Sequence, residues 1–402
     1  MIRNFLYSTI SAGTAALLLL LYIAAARMLG SVDELGKFSF ALLLGGVFET
    51  LMDFGLHQVT IRAVARDKSR ASFLLRHALA IKLLWATAAL AVLVVTANLL
   101  RPQWDVRLAC YLIGGSLVFR SYMLTIRGVL QGLEHFGWDA IVVLADRILL
   151  LVVGVAALMM GTGLRGLAIA FVIARGAALV LALVVTQTRL GGVGFAYDAG
   201  VWRELHRTAL PLGFFLVVLN LYSYVDGVML GSMRTDAETG LYAAAYRIYE
   251  GFTYAALALS TVLTPRLSAL FTTDRRQHRL LAIRGVSGSA ALGAAVALVA
   301  FAIATPLLVV LFGADYAAAT AAFRILVVGL PVVFAIWILH AIAISVDRER
   351  LLLQTGLVGL AVNVGLNLYV IPHYGPVGAA GATVAGEAVS LAILAAGLRR
   401  YA

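Results

Sequence analysis

The sequence predicts an all-α integral membrane protein: twelve transmembrane helices in two six-helix lobes, related by a pseudo-two-fold axis along the membrane normal. Three observations carry that expectation. The chain is 62% hydrophobic and only 13% charged, with a mean hydropathy of +0.97, whereas a soluble domain is about half apolar and a quarter charged. Twelve apolar runs approach or exceed the roughly 20 residues that a helix needs to cross the hydrocarbon core. The third observation is an internal echo. Met28-Leu29-Gly30-Ser31 recurs as Met229-Leu230-Gly231-Ser232, each copy ending an apolar run and preceding a short acidic stretch (Asp33, Glu34; Asp236, Glu238). A glycine (Gly36; Gly240) and an aromatic residue that opens the next run (Phe38; Tyr242) then follow.

The runs fall at 8–29, 38–57, 78–100, 107–127, 139–161 and 166–187 in the N-terminal lobe, residues 1–187. They fall at 210–232, 240–263, 285–312, 319–345, 351–371 and 379–398 in the C-terminal lobe, residues 210–402. The first run contains Ala24-Ala25-Ala26, which mimics a signal-peptidase site. It is longer than a signal-peptide core and leads at once into a second span, so it reads as a retained helix. Gly45-Gly46, Gly114-Gly115, Gly285–Gly293 and the Gly/Ala-rich stretch 375–386 supply the small residues that let membrane helices pack closely. Residues 188–209 link the lobes. They hold Gly191, Gly192 and Gly194 and then Val201, Trp202 and Leu205 among charges, with Leu210 immediately after, which fits an interfacial amphipathic helix or a plain linker. A β-barrel would instead show alternating segments of about ten residues.

Basic residues set the orientation. With the N-terminus in the cytoplasm, 20 of the 31 lysines and arginines fall on inside segments, 6 on outside segments and 5 within spans. Both termini are therefore expected to be cytoplasmic. The net charge of +11 reads as this orientation signal plus attraction to anionic lipid. It does not read as nucleic-acid binding, because the charges are dispersed and no recognition module is present.

A charge at the bilayer centre costs about 2.5–3.5 kcal/mol on insertion scales. Five arginines nevertheless sit in predicted spans: Arg120, Arg147, Arg175, Arg247 and Arg324. The intramembrane acids are Glu49, Asp53, Asp146, Asp226, Glu250 and Glu387. Guanidinium binds phosphate bidentately and stays charged, so the five arginines are candidates for a cationic cavity that receives an anion. Interhelical ion pairing is the competing reading. Glu49 and Asp53 share a helix face at i,i+4, as an ion site or as a clamp on the basic loop 62–76. Asp226 stands alone in its span and is a coupling candidate, its alternative a bond to Arg247. Asp146 and Arg147 are neighbours expected to point in different directions. Tyr242 and Tyr246 are candidate sugar contacts, or part of an aromatic stripe facing lipid.

No enzyme motif is present: no P-loop, no H-E-x-x-H and no cysteine pair, since Cys110 is the single cysteine. Every predicted outside loop is under about ten residues, which leaves no room for an outside catalytic domain. The expectation is a transporter with no cofactor, with proton or sodium coupling left open.

The residues also resemble a known family. Leu29-Gly30, Gly36-Lys37-Phe38, Asp53-Phe54-Gly55-Leu56 and Arg62-Ala63-Val64-Ala65-Arg66 resemble the opening of the O-antigen-type polysaccharide flippases, within the multidrug/oligosaccharidyl-lipid/polysaccharide exporter superfamily. Further matching segments are Ala209-Leu210-Pro211-Leu212, Tyr224-Val225-Asp226, Gly240-Leu241-Tyr242 through Tyr246-Arg247, and Thr264-Pro265-Arg266. Asn363, Asn367, Ile371-Pro372 and Gly378-Ala379-Ala380-Gly381-Ala382-Thr383 complete the likeness. The resemblance implies alternating access and a substrate of undecaprenyl-diphosphate-linked oligosaccharide, moved from the inner to the outer leaflet of a bacterial cytoplasmic membrane. It implies membrane lipids as partners, with a glycan polymerase of the same pathway as a further candidate. Arg247 and Asp226 are the positions it carries over most directly. A multidrug exporter of the same superfamily is the alternative, and the arginine excess weighs against it. A membrane-embedded glycan polymerase or ligase is weighed against by the short outside loops.

Overall fold

A computed structural model describes residues 14–190, 192–399 and 401; the start of the first predicted span, Arg3 and Arg400 lie outside them. Among the described residues there is no β-strand. The helices are α1 (Ala15–Met28), α2 (Val32–Asp53), α3 (Leu56–Arg66), α4 (Ala71–Leu100), α5 (Trp104–Gly132), α6 (Phe136–Met159) and α7 (Gly163–Leu190). Then come α8 (Ala199–Met233), α9 (Asp236–Thr273), α10 (Arg275–Ala302), α11 (Ala304–Phe312), α12 (Thr320–Val328), α13 (Leu330–Ser345) and α14 (Glu349–Leu398). Nine helices among the described residues are long and apolar enough to cross a membrane, counting α2 with α3 as one, or ten if the bent pair at Gly329 is one span.

Local chemistry explains the helix ends. The acidic stretches after the two echoed tetrapeptides are N-cap signals. Ser31 accepts a hydrogen bond from the Glu34 amide at 3.2 Å, and Thr235 and Glu238 form a reciprocal capping box. Asp67 caps the turn that follows α3, and the Ser69 hydroxyl bound to it holds its carboxyl below the usual range. α2 ends where Phe54 (φ 42°) and Gly55 (φ 82°) turn left-handed. α8 passes this break with Gly213, where a Cβ would sit 2.5 Å from the Phe54 carbonyl oxygen. Only glycine allows that approach of backbone to backbone.

Five of the predicted spans differ from simple rods. The run 285–312 breaks at Ile303, which separates α10 from α11. The run 319–345 bends by 41° at Gly329, between α12 and α13. The eleventh and twelfth runs are joined as α14, broken only at Gly375 (φ 52°, ψ −130°) between Pro372 and Pro376. The amphipathic stretch 201–210 is continuous with the seventh span in α8, which passes through Pro211. At 35 residues α8 is about 50 Å long, more than the roughly 30 Å hydrocarbon core needs.

The chain divides into two compact units, the first ending at Asn220 and the second beginning at Leu221, inside α8. Each has its own core. In the first unit Leu75, Met123, Val129 and Ala182 pack together, joining α4, α5 and α7. A separate cluster of Leu56, Val59, Ile81, Leu205 and Ala209 seats the start of α8 on α3 and α4. In the second, Leu267, Ala282, Ile338, Ile342 and Leu394 join α9, α10, α13 and α14.

Gly375 has a backbone conformation that is costly for other residues, and a Cβ there would lie 2.6 Å from Glu238 Oε1. Arg234 braces the same corner, donating to Glu238 and, at 3.0 Å, to the Pro372 carbonyl. Gly375→Ala is expected to destabilise the second unit by about 1–3 kcal/mol. A clear fall in the thermal unfolding midpoint of the detergent-solubilised protein would show it; an unchanged midpoint would mean the corner tolerates a side chain.

Candidate functional site

Two clusters of buried polar groups lie in the apolar interior, one in each unit. In the first unit four helices converge. Glu49 comes from α2, Ser116 and Arg120 from α5, Asp146 and Arg147 from α6, and Arg175 from α7. The three guanidiniums and two carboxylates lie within electrostatic reach of one another. Arg120 Nη1 donates to Glu49 Oε2 at 2.5 Å. Arg147 and Asp146 do not diverge as the sequence suggested: Nη1 lies 3.8 Å from Oδ2, within ion-pair range but beyond a hydrogen bond. Arg147 Nε and Nη1 and Asp146 Oδ1 are all buried without a hydrogen-bond partner.

Arg175 is the most deeply placed of the three, at 4% exposure. Its Nη1 donates to the Ser116 hydroxyl at 2.8 Å, and that hydroxyl donates in turn to the Ile113 carbonyl at 2.6 Å. The guanidinium carbon lies 5.2 Å from the Phe171 ring centroid, one helical turn back. A hydroxyl and a ring fix its orientation, yet neither neutralises its charge. The cluster thus has an uncompensated positive charge and unused N–H donors, which suits an anion with several oxygens.

The second unit holds the opposite arrangement. Asp226 of α8 is 1% exposed. One of its oxygens accepts from the Thr383 hydroxyl at 2.7 Å and the Tyr242 hydroxyl at 3.0 Å, while Oδ1 has no hydrogen-bond partner. Glu387, one turn beyond Thr383 on α14, accepts from the Tyr249 hydroxyl, and its Oε2 is likewise without a partner. The bonded partners of both acids are hydroxyls rather than cations. Asn367 donates to Asn363 at 3.0 Å, and its Oδ1 is also unsatisfied. Asn363 packs beside Gly386, where the Tyr222 hydroxyl also lies. The two halves of α14 pack on each other about Gly375, Gly378 facing Val370 and Gly386 facing Asn363.

The remaining candidates are placed as follows. Arg247 pairs with Glu250 at 2.6 Å rather than with Asp226, and Tyr254 also donates to Glu250. The Tyr246 ring lies between those of Tyr242 and Tyr249, each centroid 5.7 Å away and the planes tilted by 31° and 54°. Tyr242 is buried with its hydroxyl committed to Asp226, so it is no lipid-facing stripe. Arg324 reaches the Phe301 carbonyl at 3.4 Å and lies over that ring. Asp53 pairs with Lys82 at 2.5 Å and not with the basic loop 62–76. Lys82 also donates to the Ser121 carbonyl at 3.0 Å. Among the described residues no group of three or more His, Cys, Asp or Glu side chains is placed to hold a metal ion.

Sequence reasoning passed over Ser116, Thr383 and Lys82 as site residues. Hydroxyls are too common in membrane helices to stand out. Lys82, by contrast, sits inside the third apolar run, and that depth alone called for a buried acid partner.

A multi-pass helical bundle with a guanidinium cluster in one unit and a carboxylate–hydroxyl cluster in the other has the make-up of a membrane transporter. The chain belongs to the polysaccharide biosynthesis protein family, whose sequence profile matches residues 1–271. Its fold is that of a structure described as the lipid II flippase MurJ in an inward closed conformation, with a TM-score of 0.81 over 98% of this chain and 87% of that one. An inward-facing multidrug resistance MATE family transporter of the MOP superfamily superposes with a TM-score of 0.76 over 95% and 94%. Both are 15% identical in sequence, so the likeness is one of fold. A protein described as probable flippase AglR, from Haloferax volcanii, is 28% identical over 168 residues. That match spans 40% of this chain and 35% of the archaeal protein.

Proposed function

We propose that the protein is a flippase that carries an undecaprenyl-diphosphate-linked oligosaccharide from the inner to the outer leaflet of a bacterial cytoplasmic membrane by alternating access. In this reading the chain forms two six-helix lobes, 1–187 and 210–402, joined by 188–209, with both termini cytoplasmic. The observation that carries it is the first unit's cluster: three guanidiniums, that of Arg175 buried and those of Arg120 and Arg147 partly so, against two carboxylates, with Arg147 and Arg175 holding unused donors. A diphosphate supplies the missing charge and the missing acceptors. Arg120 extends the basic lining within the first unit; within the second, Arg247 and Arg324 are further basic residues and Tyr246 a further aromatic one that the substrate meets during transport, while the polyprenyl tail stays in lipid. The family match and the likeness to proteins described as flippases support the same reading.

Asp226 is the coupling residue, with Glu387 beside it. Its free oxygen and the Thr383 hydroxyl beside it are the groups that one sodium ion would take, and either carboxylate alone could take a proton. One charge moved down 100 mV supplies about 2.3 kcal/mol, so a few ions suffice for reorientation. Glu250, Glu49 and Asp53 are paired with cations and serve that step through their partners.

The test uses purified protein in liposomes with a fluorescent polyprenyl-diphosphate trisaccharide. We expect flipping that a sodium or proton gradient accelerates, and Asp226→Asn to abolish the acceleration while leaving slow ungated flipping. No flipping of the diphosphate probe by the wild type would remove the proposal. The two cation-free acids, together with the likeness to multidrug transporters, favour cationic drug export as a second reading. Drug sensitivity of a deletion strain with normal surface glycan would put it first.

A further inference from the structure

The α5–α6 hairpin keeps its facing charges in register. Near the turn that joins the two helices, Arg127 Nε donates to Asp139 Oδ1 at 2.6 Å, and Gln131 donates to the other oxygen at 2.9 Å. One heptad back along α5 from Arg127 is Arg120. One heptad forward along α6 from Asp139 is Asp146. In an antiparallel hairpin the two steps run the same way and cover the same distance, about 10.5 Å. Arg120 and Asp146 are therefore the next rung after Arg127 and Asp139. They line one small cavity between the helices, together with Met123, Val143 and Arg147.

That rung is not made. Arg120 reaches instead across to Glu49 of α2 at 2.5 Å, and Asp146 keeps a buried oxygen with no hydrogen-bond partner. The cavity between them is about 20 Å³, room for a single water. The burial runs the unexpected way. The Asp146 side chain is 8% exposed and poorly satisfied, while Glu49, at 15%, holds the hydrogen-bonded arginine. Desolvation costs most where burial is deepest.

We infer that Arg120 has two seats, Glu49 and Asp146, and that passage between them is a step of the transport cycle in which Asp146 is a positioning residue. In the present seat Asp146 is left to Arg147 at 3.8 Å and offsets part of its charge. An anion arriving at Arg147 repels Asp146 and competes for the same N–H groups. Arg120 then takes Asp146, completing the rung, and Glu49 is released at the better hydrated seat. An anion shifts this equilibrium only through its different affinity for the two states, and that difference lies in whether Asp146 or the anion holds Arg147. Movement of Glu49 carries α2, so loading of the basic cluster is passed to a helix that supplies none of its arginines. The transport consequence rests on the flippase reading; the two seats do not.

The experiment compares wild type, Glu49→Gln, Asp146→Asn and the double variant in lipid nanodiscs and in liposomes. A structure of Glu49→Gln is expected to place the Arg120 guanidinium within about 4 Å of the Asp146 carboxylate; Arg120 remaining apart from Asp146 would overturn the inference. Each single variant is expected to slow flipping of the polyprenyl-diphosphate trisaccharide at least tenfold, and the double variant no further than the slower single one, because both act on one exchange. Additive losses would mean two independent structural contacts and would also overturn it. Should Glu49→Gln not fold, side-chain ¹⁵N spectra of wild-type arginines decide, with Arg120→Lys used for assignment. Two Arg120 environments whose ratio moves on adding the probe support the exchange, and one unmoved environment refutes it. Two seats without flipping of the probe would uphold the exchange and remove the flippase reading.

Discussion

Replacing Arg175 with alanine is expected to lower flipping of a polyprenyl-diphosphate oligosaccharide about 100-fold while leaving the protein as stable as before, or slightly more so. The two halves of that expectation have different causes. Truncating one partner of a buried charge pair costs about 2–5 kcal/mol, and about 1.4 kcal/mol is a tenfold change, so loss of the guanidinium–diphosphate contact reaches the 100-fold range. Without substrate the same guanidinium is a buried cation whose hydrogen bond goes to Ser116, a neutral hydroxyl. Removing it relieves a desolvation cost that Asp146 and Glu49, neither of them hydrogen-bonded to it, offset only in part. Activity and stability should therefore separate. A structural arginine behaves the other way, since its loss strands an acid. Arg175→Lys should recover little, because an ammonium cannot reproduce the planar fork that bonds Ser116 and stacks on Phe171 together. The measurements are the rate in liposomes, the surface glycan of a complemented deletion strain, and the thermal midpoint. A midpoint that falls as steeply as activity would make Arg175 a structural residue.

The apolar runs were legible because membrane burial leaves a strong compositional trace, and most of the described helices cover the runs read from the sequence. What composition hides is where a run breaks. Ile303, Gly329 and Gly375 interrupt apolar stretches that hydropathy treats as continuous. The charged residues were equally visible, but their partners were not. A charge in a membrane announces a cost, whereas the group that meets the cost stands on another helix. Glu49 and Asp53 illustrate it: they share a face at i,i+4, yet one turns to Arg120 on α5 and the other to Lys82 on α4.

A second echo between the halves, offset by 212 residues, gains a physical content of the same kind. Arg175 and Glu387 occupy matching positions after Gly166, Ala168, Ala170 and Val172 in one half and Gly378, Ala380, Ala382 and Val384 in the other. Each ends on a hydroxyl of a neighbouring helix, Ser116 for the arginine and Tyr249 for the glutamate. A hydroxyl can donate or accept, so one scaffold position can carry either sign of charge without an ion-pair partner. The repeated frame then supports a cluster rich in guanidinium in one unit and one rich in carboxylate and hydroxyl in the other.

The largest effect on stability is expected at a pair that takes no direct part in binding. Lys82 is 0% exposed, and its ammonium is held by Asp53 at 2.5 Å and the Ser121 carbonyl at 3.0 Å. The pair joins α4 and α5 to the last residue of α2, immediately before the left-handed break at Phe54 and Gly55 on which α8 rests through Gly213. Lys82→Met keeps the aliphatic stem but strands a buried carboxylate, which should cost about 3–5 kcal/mol. Removing both charges, as Lys82→Met with Asp53→Leu, strands neither and should restore most of that loss, since a buried ion pair often does no better than an apolar pair of similar volume. The contrast between the single and double variants, read as thermal midpoints in one detergent, separates this origin from lost packing, which the second substitution would not repair. If the double variant stays as unstable as the single one, the pair's contribution is geometric. The break at Phe54 would then need the Asp53 carboxylate itself, whose other oxygen lies 3.4 Å from the His57 amide across that break.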